Sequence, residues 1–314
     1  MALSDMIDKG GSWVPPRLVL YGDEKVGKTS TAAQAPKPLY IGTDDGRRRL
    51  QVDGLPIPST WEEFVAQLTQ VTKEAPSLGY ESVITDTLNG VIELCAQHVC
   101  DTQFGGRWND PKHGFLAWGG TQGWSAVSEA VRSILPLYDR LIDAGVWVVL
   151  LAHSTAARVR NPLTGDYDRF QPAIDKRVWG RIAQWADVIL RVDFDTAFKT
   201  DETSGRRLAV SDGTRILRCS ASAAEAAGCR VGYELPDVLP FAWESIETHL
   251  GQQSEDTINT LTELWSLMTD DEETKAEAFL GVGKDNLAAA QLHQVRALIN
   301  RLEAKKEAAS GTSS

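Results

Sequence analysis

Cysteine is scarce, with four in 314 residues, too few and too irregularly spaced for a disulfide framework. No apolar run approaches the roughly 18 residues that a membrane span needs. The opening residues, MALSDMIDKGGSW, lack the basic and apolar regions of a signal peptide, so a cytoplasmic location is expected. Positive charge is also in deficit: 32 Lys and Arg against 43 Asp and Glu give a net charge of −11. That balance argues against a protein coated in nucleic acid, but it leaves room for a local basic strip. Residues 152–181 supply one, with Arg158, Arg160, Arg169, Lys176, Arg177 and Arg181 against Asp166, Asp168 and Asp175. The acidity collects instead in residues 252–314. Cys95, His98 and Cys100 lie close together, but within a predicted helix their offsets do not share one face well. Cys219 and Cys229 form no CxxC pair, and packing thiols are expected in preference to zinc.

What is present reads as an α/β protein. With 42% hydrophobic and 24% charged residues, the length suits one large α/β domain and a small appendage. RLVLY (17–21) reads as a buried strand running into a glycine-bearing loop, followed by a helix from about Lys28 to the Pro36 and Pro38 breakers. PLYIG is a second strand, closed by the polar turn TDDGRRR. Residues 60–73 open with Thr60 and Glu63 in a capping-box pattern and continue as an amphipathic helix. SVITDT is a third strand, NGVIELCAQHVC its helix, and GVWVVLLAHS the most apolar strand. Between them, residues 101–124 are rich in glycine and aromatics, and a helix is expected from about Ser125 to Ala144. DVILRVDFD and RRLAVSDGTRILRCS read as further strands, with hairpin turns at Ser204-Gly205 and Asp212-Gly213. Strands alternating with helices predict a mostly parallel sheet flanked by helices. The expected layout is a tail (1–12), an α/β core (13–250), a linker (251–256), a helical module (257–306) and a disordered tail (307–314).

Gly22, Asp23, Glu24, Lys25, Val26, Gly27, Lys28 and Thr29 spell GxxxxGK[ST] between a strand and a helix, with Ser30 next. Such a phosphate-binding loop curls on its glycines so that backbone N–H groups face an anion, and the helix start adds its dipole. Lys28 then reaches the β and γ phosphates of ATP, and Thr29 ligates Mg²⁺. Asp23 and Glu24 set two negative charges beside the phosphates, partly offset by Lys25. Asp86, ending SVITD, stands where a second carboxylate holds the magnesium through water; capping of the next helix is the plainer alternative. Asp44 and Asp45 are candidates to orient the attacking water. His153, at the carboxyl edge of VVLLA, is a candidate γ-phosphate sensor, set against a satisfied polar core residue.

Taken in order, RLVLYGDEKVGKTS, PLYIGTDDG, SVITDT, VVLLAHS, DYDRFQP, QWADVILRVDF and ELPDVLPFAW resemble the phage-encoded RecA-like ATPases of the Sak single-strand-annealing group, across residues 14–245. The resemblance implies a RecA-like P-loop core, ATP and Mg²⁺ as cofactors, and single-stranded DNA and a ring or filament of copies as partners. It makes Asp44 the water-activating carboxylate, where the family more often carries glutamate, and so leaves hydrolysis open to being slow. It implies two DNA-binding loops, 101–124 and 154–172. Trp108, Trp118 and Trp124 are the base-stacking candidates there, with packing beneath a long loop as the alternative, and Arg158, Arg160 and Arg169 the phosphate contacts, set against a solvated or salt-bridged face. Lys176 and Arg177, with Arg230 as runner-up, become the cations acting on a neighbouring subunit's ATP. FLGVGKDNLAAA resembles a helix-hairpin-helix turn, with a plain helix connection or a site for a single-strand-binding protein as alternatives. Two rival functions remain: a P-loop kinase of a small substrate, and a nucleotide-gated loader with weak ATPase activity.

Overall fold

A computed structural model of the chain describes residues 14–163, 165–200, 207–230, 235–251, 255–266 and 268–284, together with 287, 295, 298, 299, 301 and 302. The chain divides into two compact units, Pro16–Ser245 and a second made of Met1–Pro15 with Ile246–Ser314.

The strands are β1 (Arg17–Gly22), β2 (Pro38–Ile41), β3 (Asp53–Gly54), β4 (Ser82–Thr85), β5 (Trp147–Val159), β6 (Tyr167–Pro172), β7 (Val188–Phe194), β8 (Ala197–Thr200), β9 (Arg207–Val210), β10 (Arg215–Arg218), β11 (Gly228–Cys229) and β12 (Val238–Pro240). Ten of them form one sheet in the order β12-β10-β7-β1-β5-β4-β2-β3, with β6 added to β5 and β11 to β7. From β7 to β3 every neighbour is parallel, which is the expected α/β class. Unbroken apolar runs are what such central strands require, because both sheet faces are covered. On one face Val19, Tyr21, Leu39, Ile41, Val83, Val148, Leu150 and Ala152 join a single core. Helices α2 (Trp61–Glu74), α3 (Leu88–Phe104), α4 (Ala117–Asp143) and α5 (Lys176–Trp185) contribute most of the rest of that core. The alternate residues of β5 turn to the other face, where Trp147 meets Trp243 edge-on with ring centroids 5.4 Å apart; period-two alternation separates the two sets.

Local sequence explains several element ends. Thr60 Oγ1 accepts the Glu63 N–H at 3.2 Å, while the Glu63 carboxylate reaches back to the Ser59 N–H at 2.6 Å, a cap contributing about 1 kcal/mol. The first helix, α1 (Lys28–Ala32), is shorter than the breakers suggest. Gln34 and Ala35 tighten into i→i−3 bonds to Thr31 and Ala32, since Pro36 brings no N–H for a further turn. Helix α4 starts before the expected Ser125, with a break at Trp118, Gly119 and Gly120, all in the left-handed region (φ 55°, 67° and 72°).

Two expectations are corrected. Residues 154–172 are not an irregular loop, because β5 runs on to Val159 and pairs antiparallel with β6, Ser154 opposite Pro172 and Val159 opposite Tyr167. Exposure alternates along β6, as a two-faced ribbon requires. The Asp212-Gly213 turn does not close a hairpin either. Strand β9 pairs with β8, whereas β10 pairs with β7 and β12, so this turn passes from a small ribbon to the main sheet. The Ser204-Gly205 turn lies outside the described residues.

In the second unit, α6 (Glu255–Trp265) and α7 (Asp270–Leu280) pack Leu261, Leu264, Trp265, Ala276 and Leu280 with Leu287, Val295, Leu298 and Ile299. Asp285, Asn286 and residues 288–290 of the helix-hairpin-helix candidate lie outside the described residues, as do 1–13 and 307–314. Among the described residues no helix is long and apolar enough to cross a membrane.

Candidate active site

Strand β1 lies between β5 and β7, and the loop that follows it opens at the carboxyl edge of the parallel strands. Ligands collect at such an edge when connections leave it in opposite directions. The loop needs its glycines. Gly27 sits at φ 100°, and a β-carbon on Gly22 would stand 2.7 Å from the Val192 carbonyl oxygen; just after β2, Gly42 at φ 121° lies so near Asp86 that a β-carbon would stand 2.5 Å from its carbonyl oxygen. Lys25 also takes a positive φ of 61°.

Lys28 is 6% exposed. Its ammonium donates to the carbonyls of Gly22 at 2.8 Å and Asp23 at 2.7 Å. Burial draws its pKa below the usual lysine value, although Asp86 and Asp23 oppose the shift. A cation withdrawn from water with mainly neutral partners gains strongly from an arriving anion.

The Thr29 hydroxyl donates to Asp86 Oδ2 at 2.7 Å. Asp86 is 3% exposed, and burial pushes its carboxyl up to about 6, with Asp44 adding to the rise and the Thr29 bond and Lys28 opposing it. A hydroxyl and a desolvated carboxylate side by side are the hard oxygen donors that Mg²⁺ selects, so Thr29 and Asp86 fit that ion. When bound, the ion supplies charge neutralisation for phosphate oxygens.

Asp44 and Asp45 diverge. The Asp44 backbone N–H donates to the Asp86 carbonyl at 2.9 Å, and its carboxylate accepts the Gly46 N–H at 2.8 Å. Gly46 lies against Thr29, so Asp44 belongs to the magnesium side of the loop. Asp45 pairs instead with Arg48 at 3.3 Å on the surface.

Because β5 continues into the hairpin, His153 sits within the strand and opposite Gly22 in the register of β1. Its backbone N–H donates to Asn89 Oδ1 at 2.8 Å, and its carbonyl accepts the Ala173 N–H at 2.8 Å. The imidazole Nδ1 is buried and has no partner among the described residues. Burial, with Lys28 nearby, lowers its pKa, which favours the neutral ring. Next in the strand, the Ser154 hydroxyl donates to the Asp23 carboxylate, which gives one of the two loop acids a partner.

Several contributors carry no local signal. Asn89 bridges the His153 N–H to the Ala173 carbonyl, to which it donates at 2.8 Å. Tyr40 donates its hydroxyl to the Thr29 carbonyl at 2.7 Å. Tyr21, one residue before Gly22, donates to the Phe170 carbonyl at 3.1 Å and accepts the Ala226 N–H at 3.2 Å. These are contacts across long stretches of chain, invisible to motif or period.

The remaining candidates scatter. Trp108 stacks on Phe115 at 4.3 Å and 7°, and Trp124 meets Phe115 edge-on at 5.3 Å. Each such pair is worth about 0.5–1.5 kcal/mol beyond burial. Leaving it for a nucleic-acid base, at about 1–3 kcal/mol, nets little. Trp118 is different, at 76% exposure. Arg158 faces Asp168 at 3.4 Å and Asp166 at 3.9 Å, Arg160 is exposed, and Arg169 Nε is buried without a partner among the described residues. Arg177 holds Asp175 at 3.4 Å and reaches Thr121 at 3.2 Å, while Lys176 is exposed. Arg230 pairs with Asp187 at 3.1 Å, at the amino edge of β7 and away from the phosphate loop. Cys95 is enclosed, its thiol pushed up to about 12 by burial, and His98 pairs with Glu62 at 2.6 Å.

Residues 14–228 match the AAA domain family. The chain belongs to that family. Its AAA domain is a nucleotide-binding domain, which suggests ATPase activity for the loop and carboxylates above. The chain is also 25% identical over 176 residues to the SPbeta prophage-derived uncharacterized protein YorG of Bacillus subtilis (strain 168), covering 55% of this chain and 49% of that one. It thus spans about half the length of this curated relative.

Proposed function

We propose that this AAA protein hydrolyses ATP and binds single-stranded DNA, promoting annealing or strand exchange in phage recombination. The prophage origin of its relative supports the phage setting. In this reading Lys28 neutralises the β and γ phosphates, and Thr29 and Asp86 hold the magnesium. Asp44 orients the attacking water from the magnesium side, and neutral His153 senses the γ-phosphate as an acceptor or donor at its ring nitrogens. Lys176 and Arg177 are the cations offered to a neighbouring copy in a ring or filament.

The observation that carries the DNA assignment is the continuity of β5. One strand passes beside the phosphate loop at His153 and runs on as the exposed ribbon that bears Arg158, with Arg160 at its tip and Arg169 on the returning β6. Tyr21 ties that ribbon, at Phe170, to the strand that ends in the loop. A strand of DNA lying on the ribbon is therefore mechanically close to the nucleotide. Trp118, 76% exposed, is the base-stacking residue in this reading. Arg177, in the helix that follows the ribbon, binds Thr121, whose hydroxyl donates to the Trp118 carbonyl at 2.8 Å, which supports a link between Trp118 and that helix.

The test is affinity for a single-stranded oligonucleotide across a salt series, with a non-hydrolysable ATP analogue present. Binding that weakens linearly with the logarithm of salt is expected. No binding at low salt removes the recombination reading and promotes the small-substrate kinase.

A further inference from the structure

The carboxylates and the magnesium donors stand on one side of the phosphate loop, toward β5 and β4. The other side, toward β7 and β10, carries a different pair. Arg215 begins β10 opposite Phe194, the last residue of β7. Pro240 of β12 stands opposite Ile216, so Phe241 comes level with Arg215. The register of three strands thus delivers both side chains to the same carboxyl edge as the loop.

Arg215 Nη1 donates to the Val26 carbonyl at 3.0 Å. Its guanidinium carbon lies 5.1 Å from the Phe241 ring centroid. Both groups touch the loop at Gly27: a β-carbon there would run into Arg215 Nη1 and stand 3.2 Å from Phe241 Cε1. Arg215 is exposed, Phe241 is half-buried, and among the described residues Arg215 has no carboxylate partner. Most other arginines around the sheet end on an acid, as Arg17, Arg191, Arg218 and Arg230 do.

We infer that Arg215 and Phe241 form the nucleobase platform of the phosphate loop, taking the planar heteroaromatic ring of the nucleotide whose phosphates Lys28 holds. A nucleotide is a rod with its terminal phosphate at one end and its base at the other. With the terminal phosphate toward Asp86 and His153, the base end leaves the loop on the Gly27 side. A flat cation beside an aromatic ring is suited to a π-face and repels another cation. The Val26 carbonyl fixes the guanidinium, so little freedom is lost when a base arrives.

This assignment rests on the nucleotide reading of the loop, and the test separates the two. Affinities for a non-hydrolysable ATP analogue and for inorganic tripolyphosphate are measured with Mg²⁺ on the full chain and on Phe241→Ala, Phe241→Trp and Arg215→Ala. The wild type is expected to prefer the nucleotide. Phe241→Ala lowers nucleotide affinity about tenfold and leaves tripolyphosphate unchanged, the scale of one lost base stack. Phe241→Trp retains the preference, and Arg215→Ala loses part of it. Equal losses for both ligands in Phe241→Ala, or no loss for either, overturn the platform while the loop reading stands. Equal losses in Arg215→Ala overturn the base role of Arg215 in favour of a phosphate contact. A wild type that binds neither ligand overturns both readings.

Discussion

Lys28 and Arg158 are both cations that the sequence marks for phosphate, and the fold treats them in opposite ways. Lys28 is withdrawn from water onto two neutral carbonyls, and burial draws its pKa down. The Arg158 side chain is 62% exposed and sits between Asp166 and Asp168 of its own ribbon. A desolvated charge gains strongly from a new partner because the local dielectric is low. An exposed, already paired arginine gains little over the counterions it displaces. In the proposed function, nucleotide affinity is therefore concentrated in a few atoms, whereas strand affinity is spread over many weak, salt-sensitive contacts.

Substitutions can break this contrast, and the largest effect falls at the loop. Lys28→Ala is expected to lower ATP turnover by at least about 10²-fold, the scale for removing one preorganised donor from developing charge. Its circular dichroism spectrum stays that of the wild type. Normal turnover by this variant removes the loop from catalysis.

The two adjacent acids come next. Asp44→Asn cuts turnover by about 10²-fold, the lower range for a positioned acid or base, while ATP binding measured by fluorescence titration is kept. Asp45→Asn, whose carboxylate meets Arg48 on the surface, stays within a few-fold of wild type. The reverse outcome shifts the register by one residue.

Smaller effects sharpen the account of His153. Asn89→Ala leaves the His153 N–H and the Ala173 carbonyl without their partner, at about 1 kcal/mol for a partly exposed site. Thermal melting should fall by roughly 2–4 °C for a domain of this size, with ATP affinity unchanged. An unaltered melting temperature would show that water replaces the amide fully.

The smallest change is on the ribbon. Removing Arg158 and Arg160 together makes the salt slope of oligonucleotide binding shallower by about 0.7 per lost contact. Arg160 supplies more of this than Arg158, whose charge its two aspartates already share. An Arg158→Ala slope change equal to that of Arg160→Ala contradicts the shielding.

The parts of the site that were legible in the sequence are those built from contiguous residues. Gly22 to Thr29 declare a loop because the chemistry needs glycine, lysine and a hydroxyl at fixed spacing, and Asp86 closes a short apolar run that reads as a buried strand. The parallel sheet followed from strands alternating with helices. What escaped depends on register between distant strands. Asn89 reaches His153, Tyr21 reaches Phe170, and Arg215 reaches Val26 only after β1, β5, β7 and β10 have paired. The 154–172 ribbon was hidden because its apolar alternation is weak and its charges dominate the reading. Trp108 and Trp124 were indistinguishable from Trp118 by residue type, and only packing on Phe115 separates them.

The continuity of β5 from the phosphate loop to the basic ribbon is the centre of this account. Its most direct test is steady-state ATP turnover by the full chain with and without single-stranded DNA, repeated on the Arg158→Ala, Arg160→Ala double variant. The account predicts that DNA raises wild-type turnover and that the double variant keeps its basal rate but loses most of the stimulation. Turnover that is the same with and without DNA in the wild type contradicts it.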